Sequence, residues 1–559
     1  MASRVTNSDI AAMFRKLADL LDIEGANPFR VRAYRQAARV IDTLPEPVSE
    51  MIARGEDLTK LPWIGKDLAE KIRTIVETGD LPILDEVMRR TPPVLTDLLQ
   101  VPGLGPRRVE QIYENFGIET LDDLEAALRA GKLRALPGFG PKTEAKLLHE
   151  IEKLRQKGPE RRWPIGEARP VAEALLAHLR AHPGTGFAEI AGSYRRRKET
   201  VGDLDMVAVA QSGPALIRHF TEFPECGEVM LRGITRSTII LKSGLHVDLR
   251  VVPGESCGTT LAYFTGARNH TIALRKMAVE KGWKLNEYGL FDEKGNVIAG
   301  RMESDLYAAF AMAWIPPELR EMRGEMEAAR RHALPALAGE NDLCGDFLWR
   351  AGPQALAAMI EAARARGLSW AGVLAGRAEK AHETFRAIDR LNETAPGFRL
   401  LKIAPLEIPA QAPPDLATIA ALAPDFLLAE APPRPRESSE SLTERWLDAM
   451  EAARRAGQRL ILARLTNRHF DAPRGPLPDL ARIAAAASAG GHLAEVCQRP
   501  DALGLDDAEC KLAQEAGLRL ALTSRAGKAA EIENLTLALW QARRGWAEAG
   551  DLANVASAP

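Results

Sequence analysis

Cysteine is scarce in this chain and falls into no paired spacing: Cys226, Cys257, Cys344, Cys497 and Cys510 are the five among 559 residues. An odd, scattered set excludes a disulfide framework and a cysteine-based zinc site as organising devices. No apolar run is long enough to span a bilayer. The opening stretch MASRVTNSDIAAMFRKLADLL carries acidic residues and helical periodicity where a signal peptide needs unbroken apolar sequence. A cytoplasmic address is expected. Charge of one sign is lacking too: 74 Lys and Arg face 76 Asp and Glu, a formal net charge of −2. Composition therefore does not mark a nucleic-acid binder, and any such contact has to come from local devices. Lysine nearly disappears after residue 341, where Lys380, Lys402, Lys511 and Lys528 are all that remain, and the clearest basic excess lies at 151–200.

What is present is apolar content of 46% and charge of 27%, the balance of a globular protein. The length exceeds a single core and implies about three or four domains. Residues 8–43 carry apolar side chains at helical spacing (Ile10, Met13, Phe14, Leu17, then Val31, Tyr34, Ala38), with Asn27-Pro28 between, which predicts two helices, the second with Pro at its first turn. The chain then repeats itself. LPWIGKDLAEKI (61–72), VPGLGPRRVEQI (101–112) and LPGFGPKTEAKL (136–147) share an apolar residue, Pro, two residues, Gly and an amphipathic helix. From about 165 strand-like stretches appear at FAEIAGS, LDMVAVA, STIILKS, HVDLRVV and WKLNEYGLF. Helical stretches such as ARPVAEALLAHLR and TTLAYFTGARNHTIALRKMAVEKG separate them, predicting an α+β domain with a mainly antiparallel sheet. Beyond RRHALPALAGE (331–340), Ala-rich helices alternate with AGVLAG, FLLAEA, RLILARL and LRLALTS, a βα alternation that predicts a barrel-like α/β domain; APPRPRESSES (431–441) reads as a loop within it.

Each repeat is a helix, a Pro-x-x-Gly turn and a second helix. Such a turn presents backbone N–H groups and the positive end of a helix dipole to one point, and Gly103, Gly105, Gly138 and Gly140 have no Cβ to hold a phosphate oxygen away. The device grips a nucleic-acid backbone without net charge and carries no base information. The pattern is that of helix-hairpin-helix motifs. The first copy keeps Gly65 but has Trp63 where the others have Gly, which predicts poorer phosphate approach there.

Residues 192–206, GSYRRRKETVGDLDM, set a basic turn beside two acids. Strand alternation puts Asp203 and Asp205 on one face with Leu204 and Met206 behind, and in GLHVDLRVV it puts Asp248 on a face with His246 and Arg250. Carboxylates gathered from adjacent strands repel one another unless a cation sits between them. Hard oxygen ligands suit Mg²⁺, and a pair of such ions about 4 Å apart clamps both oxygens of an in-line phosphoryl transfer. Gly192 and Ser193 offer backbone and hydroxyl donors, and Arg196 a planar cationic fork, to a triphosphate. Two other classes stay open at this point: a DNA-binding scaffold without catalysis, and a nucleotidyltransferase acting on RNA or small molecules.

GSYRRRKETVGDLDMV, HVDLRVV and AYFTGARNHTIALRKMAVEKGWKLNEYGLF together resemble the palm and nucleotide-binding subdomains of family X DNA polymerases, and the repeats resemble the DNA-gripping domains that precede them. The resemblance covers about residues 1–320. It implies a helical, lyase-like domain at 1–80 that binds a 5′-phosphate, a helix-hairpin-helix domain at 81–160, a nucleotidyltransferase palm at 161–262 and a nucleotide- and template-binding subdomain at 263–320. By resemblance Asp203, Asp205 and Asp248 hold two Mg²⁺ or Mn²⁺ ions, and Asp248 also activates the primer hydroxyl. Ser193 and Arg196, with Gly192 and Gly202, meet the incoming triphosphate. Tyr263, Phe264 and Gly266 lie along its sugar, and Arg275 lies near the template strand. In some members a lysine of the N-terminal domain forms a Schiff base with an abasic sugar. Lys71 falls at that position with Arg30 and Tyr34 nearby, and a lysine that simply contacts DNA is the other reading. The implied partners are gapped or nicked DNA and deoxynucleoside triphosphates. The implied state is a cytoplasmic, nucleoid-associated monomer with no membrane contact.

After a linker at 321–340, residues 341–559 resemble the PHP domain of bacterial members, a distorted barrel that binds metal ions and acts as a 3′-5′ exonuclease. Here the ligand positions have changed. Leu348 and Arg350 stand where two histidines open the motif, Ala375 and Gly376 where an Asp-His pair follows, Arg464 for a later histidine, and Arg525 and Gly527 for the closing Asp and His. Glu495 remains, and His382, His469 and His492 lie elsewhere. Arginine inserts fixed positive charge where cations would sit, so a metal-free domain kept for structure, or for contact with repair proteins, is expected.

Overall fold

The computed structural model describes residues 7–558 except 24–25, 43, 45–47, 79–80, 85–86, 88–97, 99–100, 102–103, 105, 117, 119–120, 137–138, 157–160, 377, 410–413, 415, 433, 435–436, 471–475, 501 and 557. The chain divides into two compact units, Met1–Arg161 and Arg162–Pro559.

The first unit is helical. Helices Asn7–Ile23 and Pro28–Asp42 pack on each other through Ile10, Phe14, Leu17, Val31 and Tyr34, the apolar stripe read from the sequence. Pro28 starts the second helix, where a missing N–H costs nothing, and the Asn27 side chain accepts from the Phe29 N–H at 2.9 Å. Each repeat turn leads into a helix: Lys66–Thr78, Pro106–Phe116 and Pro141–Gln156. The latter two share a core of Val109, Ile112, Leu124, Leu133 and Leu147.

The second unit begins with helix Ile165–Ala181 and a five-stranded sheet: β1 (Thr185–Ile190), β2 (Asp203–Ala210), β3 (Cys226–Arg232), β4 (Arg236–Leu241) and β5 (His246–Val251), in the order β1-β2-β5-β4-β3. All neighbours are antiparallel except β2 and β5. One face, with Leu204, Met206, Val247 and Leu249, is buried against Leu175, Leu179 and Phe220 of helices Ile165–Ala181 and Gly213–Thr221. β3 escaped the sequence reading because its residues are mostly exposed, so it carries no apolar alternation. WKLNEYGLF forms two short strands, β6 (Lys284–Asn286) and β7 (Gly289–Phe291), joined to β8 (Val297–Ala299). The long helical stretch after Cys257 breaks into helices Cys257–Thr265 and Arg268–Glu280. Gly266 makes the break, and a Cβ there would meet the His270 ring at 2.9 Å.

Seven parallel strands follow in chain order: β9 (Gly345–Trp349), β10 (Trp370–Leu374), β11 (Arg399–Glu407), β12 (Phe426–Glu430), β13 (Leu460–Ala463), β14 (Leu493–Val496) and β15 (Leu520–Leu522). A parallel bridge between Trp349 and Ala526, with the Arg350 N–H donating to the Ala526 carbonyl at 2.7 Å, brings the last strand's end back to the first. The sheet is thus a nearly closed barrel, filled by Phe347, Trp370, Ile403, Phe426 and Ile461. Helical hairpin modules, a mainly antiparallel palm-like sheet and a barrel-like α/β region agree with the fold class expected from the sequence.

Candidate active site

The parallel pairing of β2 and β5 sets Asp205 opposite Asp248 and Asp203 opposite His246. Strand alternation buries the intervening Leu204, Met206, Val247 and Leu249, so the acids occupy the other face, Asp203 exposed and Asp205 and Asp248 half-buried. Burial, followed by the charges of Asp203 and Asp248, pushes the Asp205 carboxyl up to about 7. On β4, Thr238 donates to Asp248 Oδ1, and Arg236 Nη2 lies 3.4 Å from the same oxygen. No group of three or more His, Cys, Asp or Glu side chains is closed into a cation cage among the described residues. The backbone thus brings the three acids together while Asp248 is turned toward β4. Neither Thr238 nor Arg236 was singled out from sequence, because only strand register reveals their pairing with Asp248.

The basic turn lies against this acid face. After β1 the chain turns through the helical segment Gly192–Arg195, and the Ala191 N–H donates to the Asp205 carbonyl at 2.7 Å. Gly192 has φ 60°, and a Cβ on it would stand 2.5 Å from Asp205 Oδ2. Only glycine permits both the backbone angle and the close approach. Arg195 forms a two-pronged bond with Glu303 (2.7 and 2.8 Å) and donates to Thr265 Oγ1. Arg196 donates through Nε to Glu321 (2.8 Å) and through Nη1 to the Thr265 carbonyl (2.7 Å), which leaves Nη2 without a hydrogen bond among the described residues. Burial alone would raise both glutamates, but the facing cations outweigh it and hold each at about 2. Ser193 is half-buried in the turn, and Gly202 is half-buried just before Asp203.

Thr265 ends the helix that carries Tyr263 and Phe264, so both arginines are tied to the segment ending in Gly266. Phe264 packs with Val207 and Val209, on the aspartate face, and the Arg250 guanidinium sits 4.2 Å over its ring. Arg275 is exposed on helix Arg268–Glu280.

In the first unit, Tyr34 is buried edge-on to Phe14, and among the described residues its hydroxyl has no hydrogen-bond partner. Arg30 is exposed on the same helix. The Lys71 ammonium donates to Asp67, one helical turn away. Gly65 and Gly140 open onto free space, with no atom within 4 Å of an added Cβ. Trp63, exposed, takes the left-handed φ of 65° where the later repeats have glycine. Gly103, Gly105 and Gly138 lie outside the described residues.

At the C-terminal strand ends of the barrel, Arg525 pairs with two carboxylates. Its Nε and Nη2 each lie 2.6 Å from Glu495, and Nη2 lies 3.2 Å from Glu430. Arg464 Nη2 meets the His469 ring at 3.1 Å. Leu348 and Ala375 are buried, and the Gly527 N–H donates to Glu531.

Three family descriptions match the chain: a helix-hairpin-helix domain at residues 5–81, a SAM-like helix-hairpin-helix tandem at 95–153 and a DNA polymerase beta thumb at 260–321. The chain is 28% identical to the DNA polymerase/3′-5′ exonuclease PolX of Bacillus subtilis over 565 aligned positions, 98% of this chain and 97% of that protein. It is 24% identical to the DNA polymerase lambda of Rattus norvegicus over 51% of this chain and 49% of that protein. With the DNA polymerase lambda of Arabidopsis thaliana the identity is 26%, over 56% of this chain and 62% of that protein.

Proposed function

Because the chain belongs to family X of the DNA polymerases, we propose that it is a DNA-directed DNA polymerase that fills short gaps in base-excision or end-joining repair, moving a nucleotide from a deoxynucleoside triphosphate to a primer 3′-hydroxyl. The observation that carries this reading is the β2–β5 register, which sets Asp205 against Asp248 beside the Gly192 turn. Asp203, Asp205 and Asp248 would hold two divalent cations, Mg²⁺ or Mn²⁺. Their hard oxygens suit such ions, and a cation would offset both the burial that chiefly lifts Asp205 to about 7 and the neighbouring charges of Asp203 and Asp248 that add to it. When bound, the pair supplies charge that steadies the attacking and leaving oxygens.

The chain's own residues do the rest. Asp248 takes the proton of the primer hydroxyl, with Thr238 orienting its carboxylate through Oδ1. Gly192, Ser193, Arg196 and Gly202 receive the triphosphate. Tyr263, Phe264 and Gly266 line the sugar, and Arg275 reaches the template strand. In the N-terminal region Gly65, Gly103, Gly105, Gly138 and Gly140 bring backbone N–H groups to DNA phosphates. Arg30, exposed on its helix, serves the 5′-phosphate of the gap, whereas Tyr34, expected beside it, is buried in the helical core and withheld from DNA. Lys71 is read as a DNA contact: a nucleophilic lysine calls for burial or a second cation, and its neighbour is Asp67.

The C-terminal barrel is read as free of metal and without the 3′-5′ exonuclease activity named for the Bacillus protein. The support is Arg525, whose guanidinium fills the space between Glu495 and Glu430. The protein is further read as a cytoplasmic, nucleoid-associated monomer whose barrel can meet repair proteins. Among the described residues no helix is long and apolar enough to cross a membrane.

The test is extension of a labelled primer across a short gap, with and without a downstream 5′-phosphate. Expected are nucleotide addition that the 5′-phosphate enhances and full dependence on divalent cation. No addition by the wild-type chain under any cation would overturn the assignment.

A further inference from the structure

The barrel's last helix, Asn534–Arg544, is not confined to the barrel. Its Leu537 and Trp540 belong to the palm's hydrophobic core, 5% and 9% exposed among Leu175, Tyr194, Leu204 and Met206. The fit is close: a Cβ on Gly166 of the first palm helix would meet Leu537 Cδ1 at 2.9 Å. Trp540 presents its ring to the basic turn. The Arg197 guanidinium lies 4.0 Å from the ring centroid, Tyr194 packs edge-on at 6.4 Å, and Arg197 itself holds a left-handed φ of 57°. One turn further on, Arg544 Nη1 donates to the Arg196 carbonyl at 2.7 Å and to Glu321 at 3.2 Å, and Nη2 donates to Asp507. Glu321 is the carboxylate that holds the Arg196 side chain. Arg468, from the barrel, pairs with Glu199 at the turn's far end.

These contacts solve a physical problem the turn creates for itself. Arg195, Arg196, Arg197 and Lys198 place four cations on consecutive residues, and a strained, mutually repelling segment keeps one conformation only when its surroundings over-determine it. An aromatic face and buried carboxylates supply that determination, and buried ion pairs are better at setting geometry than at adding stability. The geometry points to a task for the barrel. We propose that Trp540 and Arg544 are positioning residues of the polymerase site, which hold the turn Gly192–Lys198 in the conformation that receives the triphosphate of the incoming nucleotide. This rests on the polymerase reading above.

The experiment compares full-length W540A, W540F, R544K and wild type in single-nucleotide gap filling, with gapped-DNA binding and thermal melting measured on the same preparations. W540A is expected to raise KM for the deoxynucleotide about tenfold, or ~1.4 kcal/mol, with kcat changed less than about threefold and gapped-DNA affinity kept. W540F, which retains a ring for Arg197, restores most of the lost affinity. R544K keeps one charge but not the fork, and raises the same KM by a smaller factor. An unchanged nucleotide KM in both W540A and R544K overturns the proposal. So does a loss of rate that merely tracks a loss of folded protein. Should W540A fail to fold, R544K decides by its KM alone. Wild-type chain that adds no nucleotide would instead refute the polymerase assignment, and the two failures are told apart in one assay.

Discussion

Gly192 carries two constraints at once, a left-handed backbone and an Asp205 oxygen where a side chain would be. Gly192→Ala therefore meets about 1–2 kcal/mol of backbone strain plus a clash with a carboxylate. It is expected to lower the melting temperature and cut nucleotide addition more than DNA binding, measured by calorimetry beside primer extension. Asp205→Asn and Asp248→Asn each remove charge from the acid face without changing its shape. Each should reduce nucleotide addition by more than about a hundredfold, the loss typical of deleting one stabiliser of transition-state charge. Gapped-DNA affinity, assigned in the proposed function to the hairpin turns, should stay near wild type in a filter-binding titration. At Lys71 the neighbouring Asp67 argues for a contact role. Borohydride treatment with an abasic-site substrate should then yield no covalent adduct that Lys71→Ala abolishes. The alternation of Asp203, Asp205 and Asp248 with apolar residues was legible in the sequence, because a strand's period of two is a local property. That Thr238 and Arg236 would hold Asp248 was not, since cross-strand partners depend on register.

At the scale of elements, the seven-stranded barrel sets one guanidinium between two carboxylates at its strand ends. Arg525 and Glu495 are both buried, and burial would push the arginine down but the facing carboxylates hold it well above its ordinary value. Arg525→Ala leaves the Glu495 carboxylate buried without its partner, a loss of about 3–5 kcal/mol in chemical denaturation. Arg525 was visible in the sequence, but not that it would bridge β12 and β14. Other element-level readings depended on how much apolar signal each segment carried. Helices Asn7–Ile23 and Pro28–Asp42 were legible from periodicity and Asn27-Pro28. The exposed edge strand β3 offered no alternation. The helix break at Gly266 was hidden because helical residues flank it on both sides; the His270 ring leaves no room for a side chain there.

Across the second unit, buried ion pairs join palm, thumb-like region and barrel. Glu303 joins Arg195 to Arg320, and Glu321 joins Arg196 to Arg544. Both glutamates have folded-state values depressed from 4.5 to about 2. A depressed carboxyl stabilises the fold fully above its unfolded value, and that contribution is lost as pH falls through the folded one. The unit is therefore expected to lose stability progressively between pH 4.5 and about 2, followed by circular dichroism, with Glu321→Gln flattening part of the slope. What the sequence determined by itself was whatever is local: the hairpin repeats, the strand alternation that lines up the aspartates, and the basic turn. Only the tertiary structure decided what those residues face. Pairing Asp205 with Asp248, Glu321 with both Arg196 and Arg544, and Trp540 with Arg197 joins positions far apart along the chain. Such pairings arise when strands choose a register and helices bury their apolar sides, and neither choice is written in the periodicity of any single segment.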